Sequence, residues 1–153
     1  GGILPLAVTL AAPEVVHHFD TEDRSKSLFH GHSFTGNPLA CAVAAKNLHL
    51  MQGNEWKADS HRIQSFWNEH LSELQEQANV KEARICGTIL AVEVESRDGY
   101  LSQLGPKYRE LSLKNGVFLR PLGNVLYAMP PLKTSEDSLF QITETIKRCL
   151  QSS

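Results

Sequence analysis

Between Phe29 and Pro38 the chain reads Phe-His-Gly-His-Ser-Phe-Thr-Gly-Asn-Pro. Two glycines, hydroxyl side chains and a proline in so short a stretch demand a tight loop of fixed shape. Asn37 is a favourable helix N-cap and Pro38 a favourable first helical residue. The segment Leu39 to Met51 that follows carries small side chains at Ala40, Cys41, Ala42, Ala44 and Ala45. It predicts a helix able to lie close against another element. The loop also has a chemical reading. Glycines allow backbone to approach a ligand, Ser33 and Thr35 offer hydroxyls, and a helix N-terminus follows, which together make a cradle for a phosphate. By local chemistry alone, a turn that only caps a helix accounts for these residues equally well.

The remaining pattern places this loop in an α/β chain. Ile3 to Leu10 is apolar and reads as a buried strand, although Pro5 suits an edge or an irregular end. Ala12-Pro13-Glu14 starts a short helix, and Asp20 to Lys26 reads as an exposed loop. Gln52-Gly53-Asn54 breaks the small-residue helix. Trp56 to Ala78 resumes helical spacing, with Ile63, Phe66, Trp67, His70, Leu71 and Leu74 on one face. Val80 to Val94 contains alternating β-formers with a turn or bulge at Gly87. Leu101 to Lys114 is an amphipathic helix stopped by Asn115-Gly116. Val117 to Arg120 and Val125 to Met129 predict two strands joined through Pro121 to Asn124. Thr134 or Ser135 caps a last helix with Glu136 and Asp137 in its first turn and Lys147-Arg148 in its last. The second half can close an α/β layer around a small sheet, whereas the first strand needs a sheet that its neighbours do not supply. The expected boundary divides residues 1–52 from residues 53–153.

Composition excludes several classes of partner. A formal net charge of -2 over 153 residues gives no basic excess for nucleic acid or an anionic membrane. No apolar run approaches the roughly 20 residues that cross a bilayer. Cys41, Cys86 and Cys149 are three in number and irregularly spaced, which suits buried thiols in a reducing cytoplasm rather than disulfides or a zinc site. The pairs His17-His18 and His30/His32 lack the Cys, Asp or Glu partners of a closed metal site, so no metal is expected. The chain opens on Gly1-Gly2 and an apolar run, with no initiator Met and no leader features, and reads as a truncated product.

Two further residues draw attention. Arg120 lies between apolar residues and Pro121, and its planar fork suits a carboxylate. An edge arginine facing water, or one in an internal ion pair, fits the same position. Tyr127, seven positions on, reads more readily as a packed aromatic than as a ligand contact.

Four segments, in order, resemble class III aminotransferases. Gly31-His32-Ser33-Phe34-Thr35-Gly36-Asn37-Pro38-Leu39-Ala40-Cys41-Ala42 is similar to the family's Gly-Asn-Pro loop. Arg84-Ile85-Cys86-Gly87-Thr88-Ile89-Leu90-Ala91-Val92-Glu93 is similar to a family strand segment. Asn115 to Pro121 with Leu126-Tyr127-Ala128-Met129-Pro130-Pro131 resembles the last active-site hairpin, and Gly1-Gly2 with Leu4 to Leu10 resembles the segment after the cofactor lysine. The hairpin is most similar to the biotin-synthesis branch, which moves an amino group from S-adenosylmethionine to 8-amino-7-oxononanoate. Ornithine- and γ-aminobutyrate-type enzymes share the loop and form the alternative, with a non-catalytic ligand-binding α/β module as the rival outside the family.

The resemblance implies the C-terminal portion of a fold-type I transferase: the end of the large domain in residues 1–52, and the small C-terminal α/β domain in residues 53–153. It implies pyridoxal 5'-phosphate as cofactor, with His32 and Ser33 at its phosphate across a homodimer interface. His32 departs from the Pro or Ser common there, so the role rests mainly on Ser33 and backbone. Gly31, Arg120 and Tyr127 are implied at the substrate, with Arg120 on its carboxylate. The implied catalytic lysine lies upstream of Gly1, leaving no catalytic residue in this chain and no activity expected from it alone. Small-molecule substrates and a cytoplasmic location complete the expectation.

Overall fold

The computed structural model describes residues 2–152; Gly1, half of the Gly1-Gly2 motif, and Ser153 lie outside the described residues. The chain divides into two compact units, Gly1–Gly53 and Asn54–Ser153.

The first unit contains α1 (Pro13–His17), a single 3₁₀ turn at Arg24–Lys26, and α2 (Pro38–Met51). Pro13 opens α1 with Glu14 in its first turn. Asp23 caps the 3₁₀ turn by accepting from the Ser25 amide at 3.0 Å. The Asn37 side chain caps α2, its Oδ1 accepting from the amides of Leu39 at 3.0 Å and Ala40 at 3.2 Å. Ala40 is the one residue of α2 buried among those described. Ile3 to Leu10 forms no strand, contrary to the sequence expectation, and Ile3, Val8 and Leu10 stand exposed. A strand exists only when a neighbour takes its amides and carbonyls, and no described segment pairs with this one.

The second unit is a three-stranded antiparallel sheet with helices on one face. Its elements are α3 (Glu55–Gln75), β1 (Val80–Cys86), β2 (Ile89–Val94), α4 (Leu104–Lys114), β3 (Val125–Ala128) and α5 (Glu136–Gln151), in sheet order β1-β2-β3. The register aligns Ala83 with Val92 and Val92 with Leu126, and in the next row Ile85 with Leu90 and Leu90 with Ala128. These side chains point to the helices and join a core with Ile63, Trp67 and Leu74 of α3, Tyr108 of α4, and Leu139, Ile146 and Cys149 of α5. The opposite face bears Lys81, Glu93 and Arg84, with Nζ of Lys81 2.8 Å and Nη1 of Arg84 3.5 Å from the Glu93 carboxylate. α3 packs on β1 and β2, α4 on β3, and α5 against both α3 and α4.

Directional bonds pin these layers. Nε1 of Trp67 donates to the Thr88 carbonyl at 2.9 Å, tying α3 to the β1–β2 turn. Nδ2 of Asn79 donates to the Leu150 carbonyl at 2.8 Å, tying the start of β1 to the end of α5. Ser135 caps α5, its hydroxyl accepting from the Ser138 amide at 3.3 Å.

Two sequence expectations change here. Val117 to Arg120 is extended but joins no ladder, so β3 has no partner strand from that segment. Alternation there is real, with Val117 and Leu119 buried and Phe118 and Arg120 exposed. Such alternation reports which side chains are covered, not whether backbone is paired. The cysteines also differ from expectation: Cys149 is buried, but Cys41 and Cys86 are exposed. Burial pushes the Cys149 thiol up to about 11, which keeps it protonated and inert at neutral pH.

The link between Arg120 and β3 is a tight turn. Leu122 and Val125 exchange amide-to-carbonyl hydrogen bonds at 2.9 Å each. Asn124 is buried; its Nδ2 donates to the Val94 carbonyl at 2.7 Å, and the Val94 amide donates back to the Asn124 carbonyl at 2.9 Å. Gly123 has φ of +58°, and a Cβ there would lie 2.3 Å from the Tyr100 carbonyl oxygen. Gly123→Ala therefore carries a left-handed penalty of about 1–2 kcal/mol plus a backbone displacement. Gly116, at φ of +76°, would meet only the movable Gln141 amide at 3.2 Å. Thermal unfolding followed by circular dichroism should show Gly123→Ala losing at least about 2 kcal/mol, and Gly116→Ala only about 1 kcal/mol. Equal losses would show that the Tyr100 contact does not constrain the turn.

Candidate functional site

The loop that opened the sequence argument closes largely upon itself. The His32 amide donates to Oγ1 of Thr35 at 3.2 Å, and the Thr35 amide donates back to the His32 carbonyl at 3.0 Å. Nδ1 of His32 accepts from the Phe34 amide at 3.2 Å, and the Asn37 amide donates to the Phe34 carbonyl at 3.2 Å. Gly36, at φ of +67°, turns the chain into the Asn37 cap. His32 and Thr35 thus spend polar atoms on the shape of the loop.

Ser33 differs from its neighbours. It is exposed at the outer bend, and neither its hydroxyl nor its amide is engaged by a described residue. Gly31 precedes the bend with no atom within 4 Å of an added Cβ. The structure therefore separates two residues that the sequence grouped: Ser33 presents free donors, while His32 is in part a brace for the turn.

The second unit brings Arg120 and Tyr127 together. Both line an open groove of about 440 Å³ whose far wall is Pro130, Pro131, Thr134 and residues of α5. Arg120 is exposed next to buried Leu119, and none of the ion pairs among the described residues includes it. Tyr127 sits half-buried on β3, in register with Ala91 and Arg84 on the sheet face away from the helices. The loop residues Gly31, His32 and Ser33 belong to the first unit, and Arg120 and Tyr127 to the second.

Two contributors escape sequence reading. Nη2 of Arg62, on α3, donates to the carbonyls of Leu132 at 3.1 Å and Thr134 at 2.8 Å. Lys133 adds an ion pair to Asp59 at 2.7 Å, so α3 holds the Pro131–Thr134 wall of the groove. Arg62 lies 70 and 72 residues from its acceptors, a separation that no local pattern signals. The second is Arg109, whose guanidinium lies 5.7 Å from the centre of the exposed Phe118 ring.

Five of the described lysines are paired with acids. Desolvation pulls the Lys147 ammonium pKa down, but the hydrogen bonds it donates to Glu144 and Glu73 outweigh it and the net shift is upward. The hydrogen bond to Glu93 likewise raises Lys81. Lys26, Lys114 and Lys133 pair with Asp23, Glu110 and Asp59. Among the described residues no group of His, Cys, Asp or Glu is placed to hold a metal ion, and no helix is long and apolar enough to cross a membrane.

Comparison with known proteins gives these features a context. The profile of the family Aminotransferase class-III matches residues 1–150. The chain is 37% identical over 135 residues to the adenosylmethionine-8-amino-7-oxononanoate aminotransferase of Synechococcus elongatus, covering 86% of this chain and 31% of the relative. It is 35% identical to the enzyme of the same name from Geobacter sulfurreducens, covering 99% of this chain and 35% of the relative. Among solved structures, the adenosylmethionine-8-amino-7-oxononanoate aminotransferase of Methanocaldococcus jannaschii superposes with a TM-score of 0.79 at 25% identity, over 92% of this chain and 34% of that one. An omega transaminase of Pseudomonas jessenii in complex with PMP superposes at 0.70 and 26% identity, over 82% and 29%. The chain spans about a third of the length of the curated relatives it matches. With a family profile running through nearly every residue, across both the Gly-Asn-Pro loop and the arginine-bearing turn, the chain belongs to the class-III aminotransferases.

Proposed function

We propose that this chain is the C-terminal part of a pyridoxal-phosphate transaminase that moves an amino group from S-adenosylmethionine to 8-amino-7-oxononanoate, giving 7,8-diaminononanoate for biotin synthesis. The observation that carries the reading is Arg120: an arginine with no acidic partner among the described residues, held at the edge of a groove beside Tyr127. The similarity to several relatives that bear this enzyme name supports the choice of substrate pair. A class-III ω-transaminase using another amine is the second reading, supported by the likeness to the Pseudomonas jessenii structures.

The residues present fit the cofactor at its phosphate end. Ser33 offers a hydroxyl and an amide with no competing acceptor among the described residues, on a loop already rigid through His32, Thr35 and Asn37. Hydrogen bonds to a charged phosphate are shorter and stronger than those between neutral groups. Pyridoxal phosphate, when bound, supplies the electron sink for amino transfer. In this reading, Ser33 and the loop backbone hold the phosphate of the neighbouring subunit in a cytoplasmic homodimer. Gly31 lines the substrate path, Tyr127 forms part of the substrate wall, and Arg120 orients the keto acid by its carboxylate. In this reading the cofactor lysine precedes Gly1, because Gly2 with Leu4 to Leu10 resembles the segment that follows that lysine and no lysine of this chain lies in a matching motif.

Two outcomes test this in the full-length enzyme. Ser33→Ala removes a charge-assisted contact of about 1.5–3 kcal/mol. It should speed cofactor loss on dialysis while leaving substrate preference unchanged; wild-type retention would make Ser33 a turn residue only. Arg120→Ala should lower kcat/KM for the keto-acid half-reaction about ten- to a hundredfold, with Arg120→Lys recovering part, because lysine lacks the two-pronged geometry. Stopped-flow measurement of each half-reaction, with several amino donors, checks both the anchor and the donor. A wild-type keto-acid half-reaction in a folded variant would make Arg120 structural.

A further inference from the structure

Arg120 lines two grooves, not one. Besides the groove it shares with Tyr127, it borders an open groove of about 650 Å³ between α4 and the Pro121–Gly123 turn, lined also by Arg109, Glu110, Leu113, Ser102 and Tyr100. Arg109 is exposed, and no ion pair among the described residues includes it. Its guanidinium is held against the Phe118 ring at 5.7 Å. Phe118 and Arg120 are the two outward side chains of the extended Val117–Arg120 segment, so the ring that steadies one guanidinium is two residues from the other. The acid in this groove, Glu110, is already taken by Lys114 at 2.7 Å; that hydrogen bond holds its pKa below the usual carboxylate value. The groove therefore carries two guanidiniums with no anion of their own, on a chain whose formal net charge is -2.

We propose that Arg109 is a second substrate-selecting cation, which acts with Arg120 from the α4 side to draw in a substrate whose carboxylate lies at the far end of a chain from its reacting carbon. The inference rests on the reading of Arg120 as the carboxylate anchor and adds to it a residue that the sequence did not single out. The Phe118 ring, its centre 5.7 Å from the Arg109 guanidinium, restrains the direction of that charge, and the guanidinium has no acidic partner among the described residues. Two like charges bordering one groove raise the local concentration of an anion and make its capture depend on salt. Arg109 contributes to binding, not to the chemical step, so its removal shows in KM and in the salt response.

The test uses the full-length holoenzyme with 8-amino-7-oxononanoate as varied substrate. Arg109→Gln, and Arg109→Met, which keeps an unbranched aliphatic side chain, should each raise KM for the keto acid about three- to tenfold, with kcat unchanged. Each should also flatten the fall of kcat/KM between low and high salt. Arg109→Lys, which keeps the charge and the ring contact, should restore most of both. KM for S-adenosylmethionine should not rise, because its carboxylate sits on the carbon that bears the transferred amine rather than at the far end of a chain. Unchanged keto-acid KM and salt slope in the Gln and Met variants would overturn the proposal, as would equal losses for both substrates with a lowered Tm. Arg120→Ala measured alongside separates the two claims. If it leaves keto-acid KM and kcat/KM unaltered, the anchor reading itself fails. If it weakens the keto acid while the Arg109 variants behave as wild type, only the role of Arg109 fails.

Discussion

The placement of Arg120 depends on one close backbone approach. Gly123 can sit against the Tyr100 carbonyl only because it has no side chain and tolerates φ of +58°. The buried Asn124 amide then fastens the same turn to Val94 at 2.7 Å. These contacts join the segment before α4, the last residue of β2 and the residue just before β3. They hold the turn that directly follows Arg120-Pro121. An exposed arginine loses a large rotamer entropy when it is ordered; a rigid backbone beneath it reduces what remains to be ordered when a carboxylate arrives.

Much of this was legible in the sequence where the signal is local. Asn37-Pro38, Ser135 and Asn115-Gly116 mark helix ends through capping chemistry that acts within four residues, and the structure uses all of them. The α3 face of Ile63, Trp67 and Leu74 follows from helical spacing. Other features depended on distant partners and were illegible. Ile3 to Leu10 has the composition of a strand but no described neighbour to pair with. Val117 to Arg120 has the alternation of a strand, yet covers the core without a ladder. The bonds from Arg62 to Leu132 and Thr134 and the Arg109–Phe118 contact arise from packing of α3 and α4 and leave no motif. At the candidate site, the loop and Arg120 could be picked out by resemblance, whereas the internal use of His32 required geometry.

Charge is distributed by role. On the sheet face away from the helices, Lys81 and Arg84 surround Glu93, and between α3 and α5 Lys147 joins Glu73 and Glu144. These pairs neutralise one another at the surface, where each contributes little to stability. Arg109 and Arg120, by contrast, have no acid against them among the described residues, and they border the same groove.

The most direct test is a crystal structure of the full-length protein with pyridoxal phosphate and the keto acid bound. The account predicts two parallel N–H···O bonds of about 2.7–2.9 Å from Arg120 to the substrate carboxylate, and the Ser33 hydroxyl on a phosphate oxygen. Arg120 paired instead with a carboxylate of the protein, or Ser33 turned away from the phosphate, would contradict it.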